Sequence, residues 1–262
     1  MDGVARSADG LSVHFEAHGV GSPAIVFVHG WSGDRSHWAN QLEHFAPHHR
    51  VVAIDLAGSG ESDIGREAWT MAAFGEDVVA VVEHLGLEEV VLVGHSLGTD
   101  TVVEAAVRLP DRVVGIVWVG RRTVDADQSG DGSDALLAPF EEDFIAAAQD
   151  LMRRNFGVDA DEDLVERVVG FGERAQPDIA LEILLNAKNN DPALAAALES
   201  LSVPVVVING DHRTVDTEAL ERHGLRPVSM PGVGHFAMLE DPDRFNHLLH
   251  DIIEGFIAVQ RG

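Results

Sequence analysis

One serine in this chain stands in a setting that suits nucleophilic chemistry. The motif G-H-S-L-G at 94–98 directly follows the apolar run Val90–Val93, and a helical pattern continues over 101–109. Strand, G-x-S-x-G and helix together predict a sharp turn that exposes a serine hydroxyl above a sheet, within reach of a base. The N–H of Leu97, at the start of the helix, would point towards an attacked carbonyl oxygen. We therefore predict that Ser96 is a nucleophile for acyl transfer.

The elements around this turn alternate between strand and helix. Strand patterns occur at 11–16, 24–28, 50–54, 90–93, 113–119, 203–209 and 228–230. Helical spacing occurs at 34–45, 70–85 and 242–259, and Asp34 and Thr70 are the expected N-caps of the first two helices. This alternation predicts an α/β fold with a mostly parallel sheet and helices on both faces.

The regular alternation breaks after Gly120. The patterns that follow are helical and show no strand signal, and they lie at 140–152, 164–169, 179–187 and 192–201. An all-helical stretch of this length between two strands is best explained as a cap over the carboxyl edge of the sheet. We expect a single domain, with a core of residues 1–120 and 201–262 and a helical cap insert at 121–200.

Four motifs resemble those of the α/β-hydrolase family in order and spacing, and the resemblance covers nearly the whole chain. They are H-G-W at 29–31, D-L-A-G-S-G-E-S at 55–62, G-H-S-L-G at 94–98 and P-G-V-G-H-F at 231–236. In the second motif Ser59 stands where histidine or tyrosine is usual. Small esterase-like members with a helical cap are the most similar. The resemblance implies the α/β-hydrolase fold and a serine hydrolase activity.

The resemblance also implies roles for individual residues. Ser96 attacks an acyl carbon, and His235 removes the serine proton and returns it to the leaving group. The N–H groups of Trp31 and Leu97 form the oxyanion hole. Simpler alternatives stay open, since Ser96 can be a small residue that fits a tight turn and His235 can be a loop histidine without a partner.

The carboxylate that orients the histidine is missing from both positions where the family usually carries it. Arg213 stands three residues past the glycine that follows the seventh strand, and Gly120 stands directly after the sixth. Any nearby aspartate can instead be a solvated surface charge, which is the commoner role of this residue type. We rank Asp211 first as the catalytic acid and Asp125 second. The four aspartates near these positions are Asp211, Asp125, Asp127 and Asp216.

The charge balance excludes some partners. There are 44 acidic and 18 basic side chains, a net charge of −26, and such a surface repels nucleic acids and anionic lipid heads. Genome composition and adaptation to high internal salt are both open explanations. Cysteine is absent, which excludes disulfides and cysteine-ligated metals. Since no membrane-length apolar stretch and no signal-peptide pattern is present, we expect a cytoplasmic protein, either monomer or homodimer.

The leading hypothesis is a serine hydrolase that cleaves a small carboxylic ester or lactone, without cofactor or metal. The alternative from another class is a ligand-binding or signalling protein on the same scaffold, its catalysis weakened by loss of the acid. No H-E-x-x-H motif supports a zinc protease. The cap would close over an apolar pocket. Residues expected to line this pocket or its rim are Trp31, Trp118, Phe140, Phe144, Arg121 and Arg122.

Overall fold

Eight strands form one sheet in the computed structural model, which describes residues 1–121, 123–124, 138–188 and 191–261. Asp125, Asp127 and Arg122, named above as candidates, therefore lie outside the described residues. The strands are β1 Asp2–Arg6, β2 Ser12–His18, β3 Ala24–Val28, β4 Val51–Ile54, β5 Val90–His95, β6 Val113–Val119, β7 Val205–Gly210 and β8 Arg226–Met230.

Helices connect most of these strands. A 3₁₀ turn at Arg35–Trp38 precedes the first α-helix, and another at Gly170–Arg174 follows the fifth. The α-helices are α1 Ala39–Phe45, α2 Met71–His84, α3 Gly98–Arg108, α4 Phe144–Arg153, α5 Glu162–Val169, α6 Pro177–Lys188, α7 Asp191–Ser200, α8 Thr217–Arg222, α9 Ala237–Glu240 and α10 Pro242–Arg261.

The strand order is β1-β2-β4-β3-β5-β6-β7-β8. All neighbours from β4 to β8 run parallel, whereas β1 and β2 add an antiparallel edge. The predicted mostly parallel sheet is confirmed. The sequence patterns did not identify β1, because Ala5 is its one buried side chain and an edge strand of this kind has no apolar alternation.

Helices cover both faces of the sheet. One apolar cluster joins a face of the sheet to α2 and α3, through side chains such as Val78 and Val102. A second cluster joins the opposite face to α1 and α10, through side chains such as Phe45 and Leu249. Every residue of β3, β5 and β6 is buried, which explains why these strands have unbroken apolar sequences.

Between β6 and β7, residues 138–188 and 191–200 contain helices α4 to α7, and we call this stretch the helical insert. The helix expected at 140–152 is interrupted, because the Asp143 side chain accepts a hydrogen bond from Ala146 N (3.1 Å) and starts α4 as its N-cap. Residues 138–142 form a separate helical turn before it. Asp34 and Thr70 cap the helical segments that follow them, as predicted. Across the described ranges, no helix combines the length and apolarity needed to cross a membrane.

Candidate active site

Ser96 occupies a strained turn between β5 and α3. Its φ is +52°, a left-handed conformation that costs a non-glycine residue about 1–3 kcal/mol. The turn is held because Ser96 N–H donates to Val119 O (2.9 Å) and Thr99 N–H donates to Ser96 O (2.9 Å). Among the described non-glycine residues, Ser32 shares this conformation, and it lies in the loop after β3 that faces Ser96. Strain that persists in this way marks functional sites.

Three glycines allow the chain segments to cross at this serine. A Cβ on Gly94 would lie 2.2 Å from Gly98 O, and a Cβ on Gly98 would lie 2.6 Å from Val28 O. A Cβ on Gly30 would lie 2.9 Å from the Cβ of Ser96. Strands β3 and β5 and helix α3 therefore meet backbone to backbone, which brings the loop after β3 against Ser96.

The structure brings His235 to the same place. Ser96 N–H bonds to Val119, and the next residue, Gly120, packs on the His235 ring, since a Cβ on Gly120 would lie 2.6 Å from Nδ1. The ring of His95, which precedes the serine, is 4.7 Å from the ring of His235 between centroids. Ser96 and His235 thus share immediate neighbours at the carboxyl ends of β5 and β6.

His95 supports this arrangement from below. Its Nε2 donates to His235 O (3.1 Å), and the residue is 1% exposed. Burial, with His235 and His37 nearby, keeps the pKa of His95 well below its ordinary value, so the ring stays neutral. His95 therefore packs beneath the turn that carries Ser96.

His29 fixes the direction of the peptide group that precedes Trp31 N. Leu56 N–H donates to His29 Nε2 (3.1 Å), so the ring proton is on Nδ1, which donates to Gly30 O (2.8 Å). The Gly30–Trp31 peptide is trans, and its N–H therefore points away from its C=O. With the carbonyl held by His29, the Trp31 N–H has a fixed direction on the opposite side.

The aspartates proposed as the acid have other partners or lie outside the described residues. Asp211 is exposed, and its carboxylate accepts a hydrogen bond from Gly232 N (2.9 Å). Asp216 caps α8 through Ala219 N (2.9 Å). Asp125 and Asp127 are not among the described residues. Gly120, directly before the segment that leads to Asp125, packs close to Nδ1 of His235.

A cavity of about 380 Å³ lies between the loop after β3 and the helical insert. Its lining is more apolar than polar, and it includes the turn Gly58–Glu61. The carboxylate of Asp55 shapes that turn by accepting hydrogen bonds from Arg35 N (2.8 Å) and Glu61 N (3.0 Å). Side chains that line the cavity include Trp31, Leu56, Ile64, Phe74, Leu97, Phe171, Ile179 and Ile183.

Trp31 connects this cavity to the insert. Its indole N–H donates to Ala180 O in α6 (2.8 Å), and Phe140 and Phe144 pack edge-on against its ring at 5.8 and 6.1 Å. Trp118, expected to line the pocket, is instead fully buried in the core, because the side chains of β6 are covered on both faces. Trp31 is thus the aromatic residue that joins cavity and insert.

Arg121 does not supply a free cation at the rim. Its guanidinium pairs with the buried carboxylate of Asp100 (2.8 Å) and donates to Thr123 O (2.8 Å). Arg121 is therefore held by partners within the protein. Within the described ranges, no group of three His, Cys, Asp or Glu side chains is placed to hold a metal ion.

Glu240 is a residue at the site to which the sequence patterns assigned no role. Its carboxylate accepts hydrogen bonds from the N–H groups of Gly234 (2.8 Å) and Phe236 (3.2 Å), on either side of His235, and of Gly157 (2.8 Å) in the insert. Burial raises the pKa of this carboxyl, and the three N–H groups act in the opposite direction. The contact with Gly157 spans 83 positions, which no local pattern reveals.

The chain resembles a family profile and several known proteins in sequence. The family profile described as alpha/beta hydrolase fold matches residues 23–242. A dihydrolipoyllysine-residue acetyltransferase component of an acetoin cleaving system from Cupriavidus necator is 32% identical over 53% of this chain and 35% of its own length. The 3-oxoadipate enol-lactonase 2 of Acinetobacter baylyi is 25% identical over 89% of this chain and 90% of its own.

A solved structure has a similar fold. The structure described as Est816, an N-acyl homoserine lactone degrading enzyme, has a TM-score of 0.84 and 25% identity, and the match covers 95% of this chain and 99% of that one. The chain spans only 35%, 64% and 40% of the first three curated relatives that it matches, two acetyltransferase components and an esterase/lipase.

Proposed function

Because the chain belongs to the alpha/beta hydrolase fold family, we propose that it is a serine hydrolase that cleaves a small carboxylic ester or lactone through an acyl-enzyme on Ser96. One observation carries the proposal. Ser96 is held at a φ of +52° against Val119, while the imidazole of His235 packs on the adjacent Gly120. General-base activation of a hydroxyl requires an imidazole within hydrogen-bond reach of it, and the neighbours that Ser96 and His235 share support this arrangement.

The chemistry has two halves. His235 takes the proton of Ser96 as Oγ bonds to the acyl carbon, and the oxyanion is held by the N–H groups of Trp31 and Leu97. The tetrahedral intermediate expels the alkoxide, which receives the proton from His235. Water, deprotonated by His235, then attacks the acyl carbon. The bond from that carbon to Oγ breaks, the acid leaves, and His235 returns the proton to Ser96. For a lactone, the released acid and alcohol are parts of one molecule.

The cavity supports a substrate whose bound group is small and largely apolar. Its volume is about 380 Å³, and Trp31 and Leu97, whose N–H groups we assign to the oxyanion, both line it. Among the relatives, one is named an enol-lactonase and one is described as degrading N-acyl homoserine lactones. No cofactor or metal is needed for this reaction. A cytoplasmic location and a monomer or homodimer stay predictions.

For the acid, the geometry favours the segment after β6 over Asp211. Nδ1 of His235 faces the backbone of Gly120, whereas the carboxylate of Asp211 holds the turn at Gly232. We expect Asp125→Asn to lower kcat by about 100-fold or more, because an unoriented imidazole is a poor base, and Asp211→Asn by less than tenfold. Steady-state kinetics of both variants, with Asp127→Asn and Asp216→Asn alongside, decides between them. A larger loss in Asp211→Asn than in Asp125→Asn would restore Asp211 as the acid.

The activity itself is tested with a fluorophosphonate probe and short p-nitrophenyl esters. We expect the wild type to be labelled and to turn over, and Ser96→Ala and His235→Asn to lose at least about 10³-fold in kcat. Ser202→Ala, which removes an exposed hydroxyl elsewhere, is the matched control and should behave as the wild type. A folded wild type that neither labels nor turns over would contradict the proposal and favour a ligand-binding or signalling protein.

A further inference from the structure

The loop that carries His235 is fastened to the helical insert through its backbone. His235 N–H donates to Asn155 O (2.7 Å), in the turn that follows α4. A Cβ on Gly234 would lie 2.4 Å from both Asn155 O and Gly157 N. The two chain segments therefore pack with no side chain between them, and the rings of Phe156 and Phe236 stack beside this contact at 4.7 Å.

One carboxylate joins the two segments. Glu240 Oε2 accepts from Gly234 N and Gly157 N, both at 2.8 Å, and Oε1 accepts from Phe236 N at 3.2 Å. Hydrogen bonds to an ionised acceptor are roughly twice as strong as those between neutral groups. Three N–H groups that face one half-buried carboxylate lose their shared partner together if it is removed.

We infer that Glu240 is a positioning residue that locks the helical insert to the loop carrying His235, so that the insert holds the imidazole in place against Gly120. The base is then supported by two separate parts of the chain. Asn155 O of the insert accepts the N–H of His235, and Glu240 ties Gly157 to the same loop. On the other side, His95 donates a 3.1 Å hydrogen bond to the carbonyl of His235. Any motion that opens the cavity must leave this end of the insert fixed, or else move His235 with it.

The part of this inference that concerns turnover rests on the proposed function. Glu240→Gln retains the length of the side chain but replaces one oxygen with an NH₂ group that cannot accept a hydrogen bond. We expect kcat to fall by about tenfold with KM changed by less than about twofold, because a small displacement of a catalytic group slows chemistry without altering the cavity. Glu240→Asp is the second variant, since its shorter side chain cannot span all three N–H groups.

The control is Asp161→Ala. Asp161 also accepts a backbone N–H in the insert, from Leu164 (3.0 Å), where it caps α5. This variant should lower the melting temperature while leaving kcat within about twofold of the wild type. A Glu240→Gln variant that behaves like this control, with a lower melting temperature and an unchanged kcat, would overturn the positioning role.

Hydrogen exchange separates the lock from the activity. In Glu240→Gln we expect faster exchange both at residues 155–157 and at residues 234–236, with wild-type rates at these positions in Asp161→Ala. Faster exchange in only one of the two segments contradicts the lock. If the wild type shows no turnover that depends on Ser96, the proposed function has failed, and the exchange result alone decides whether Glu240 joins the two segments.

Discussion

The direction of one peptide group at the site depends on a single imidazole. His29 accepts a hydrogen bond from Leu56 N and donates one to Gly30 O, which fixes the adjoining N–H of Trp31. An oxyanion-hole donor stabilises a transition state only if its direction is set before the reaction. His29 is therefore expected to act on the rate through this peptide group.

Replacing this imidazole should reduce the rate more than the affinity. We expect His29→Ala to lower kcat by about 10²-fold, the usual effect of losing one oxyanion donor. The matched control is His49→Ala, because His49 is also buried and bonds a backbone carbonyl, Pro23 O (3.1 Å), away from the site. Steady-state kinetics should show normal kcat in the control; equal losses in both variants would mean that general destabilisation explains the result.

His37 predicts a pH dependence of stability. It is 4% exposed, packs against Phe171 and Phe236, and has no hydrogen-bond partner for either ring nitrogen among the described residues. Burial lowers its pKa from 6.5 to about 4. Below pH 6.5 the imidazole of His37 is protonated in the unfolded chain but stays neutral in the folded protein. The free energy of unfolding therefore falls as the pH drops from about 6.5 to about 4.

This loss amounts to about 3 kcal/mol for a pKa difference of that size. The leucine of His37→Leu cannot ionise. Between pH 7 and pH 4 we therefore expect the free energy of unfolding of this variant to fall by about 3 kcal/mol less than that of the wild type. Urea denaturation at a series of pH values gives the free energy of unfolding of both proteins. The contribution of the carboxylates cancels in the difference, because both proteins contain them. A difference that stays constant with pH would show that His37 does not titrate in this way.

The crossing of β5 and α3 is the contact between elements on which the site depends. Gly94 permits it because a Cβ there would meet Gly98 O of α3. Gly98 in turn lets α3 approach β3, because a Cβ on Gly98 would meet Val28 O. The glycines of the motif therefore set how closely the elements approach each other. If either glycine gains a side chain, the strand and the helix must separate and Ser96 must leave its position.

Two substitutions to alanine should have opposite effects. Gly94→Ala should destabilise the fold by about 3 kcal/mol or more, because the new methyl group would meet Gly98 O, a backbone atom. Gly255→Ala, in α10, has nothing within 4 Å of the added Cβ and should stabilise by about 1 kcal/mol through helix propensity. Thermal unfolding of both variants checks the pair; a stable Gly94→Ala would mean that the crossing is looser than the structure shows.

The molecule as a whole carries a net charge of −26. Several of the few basic side chains form local ion pairs, such as Arg35 with Asp55 and Arg66 with Asp77. The remaining carboxylates repel one another, and this repulsion favours the unfolded chain at low ionic strength. Added salt screens it, since the Debye length falls to about 3 Å at 1 M.

We therefore expect the melting temperature at pH 7 to rise by at least about 5 °C between low salt and molar KCl. Sucrose at the same osmolality is the control, because it is excluded from protein surfaces without screening charge. A melting temperature that is flat or falls with KCl would remove the hypothesis of adaptation to high salt. A rise that sucrose reproduces fully would remove it as well.

Local sequence patterns were enough to predict every strand except β1, most helices and the serine turn, because those depend on nearby apolar residues, caps and glycines. The buried run Val90–Val93 and the motif after it need no distant partner to be recognised. The family resemblance supplied His235 from a second motif. These features identified the mostly parallel sheet, which the structure confirms.

Contacts between residues far apart in sequence became visible only in the folded chain. The packing of Gly120 on His235, the bond from Trp31 to Ala180 and the three N–H groups around Glu240 join positions far apart in sequence. It also placed Trp118 in the core instead of the pocket, and gave Asp211 the Gly232 N–H as its partner. Such contacts follow from how elements pack, and side-chain type alone carries no record of that packing.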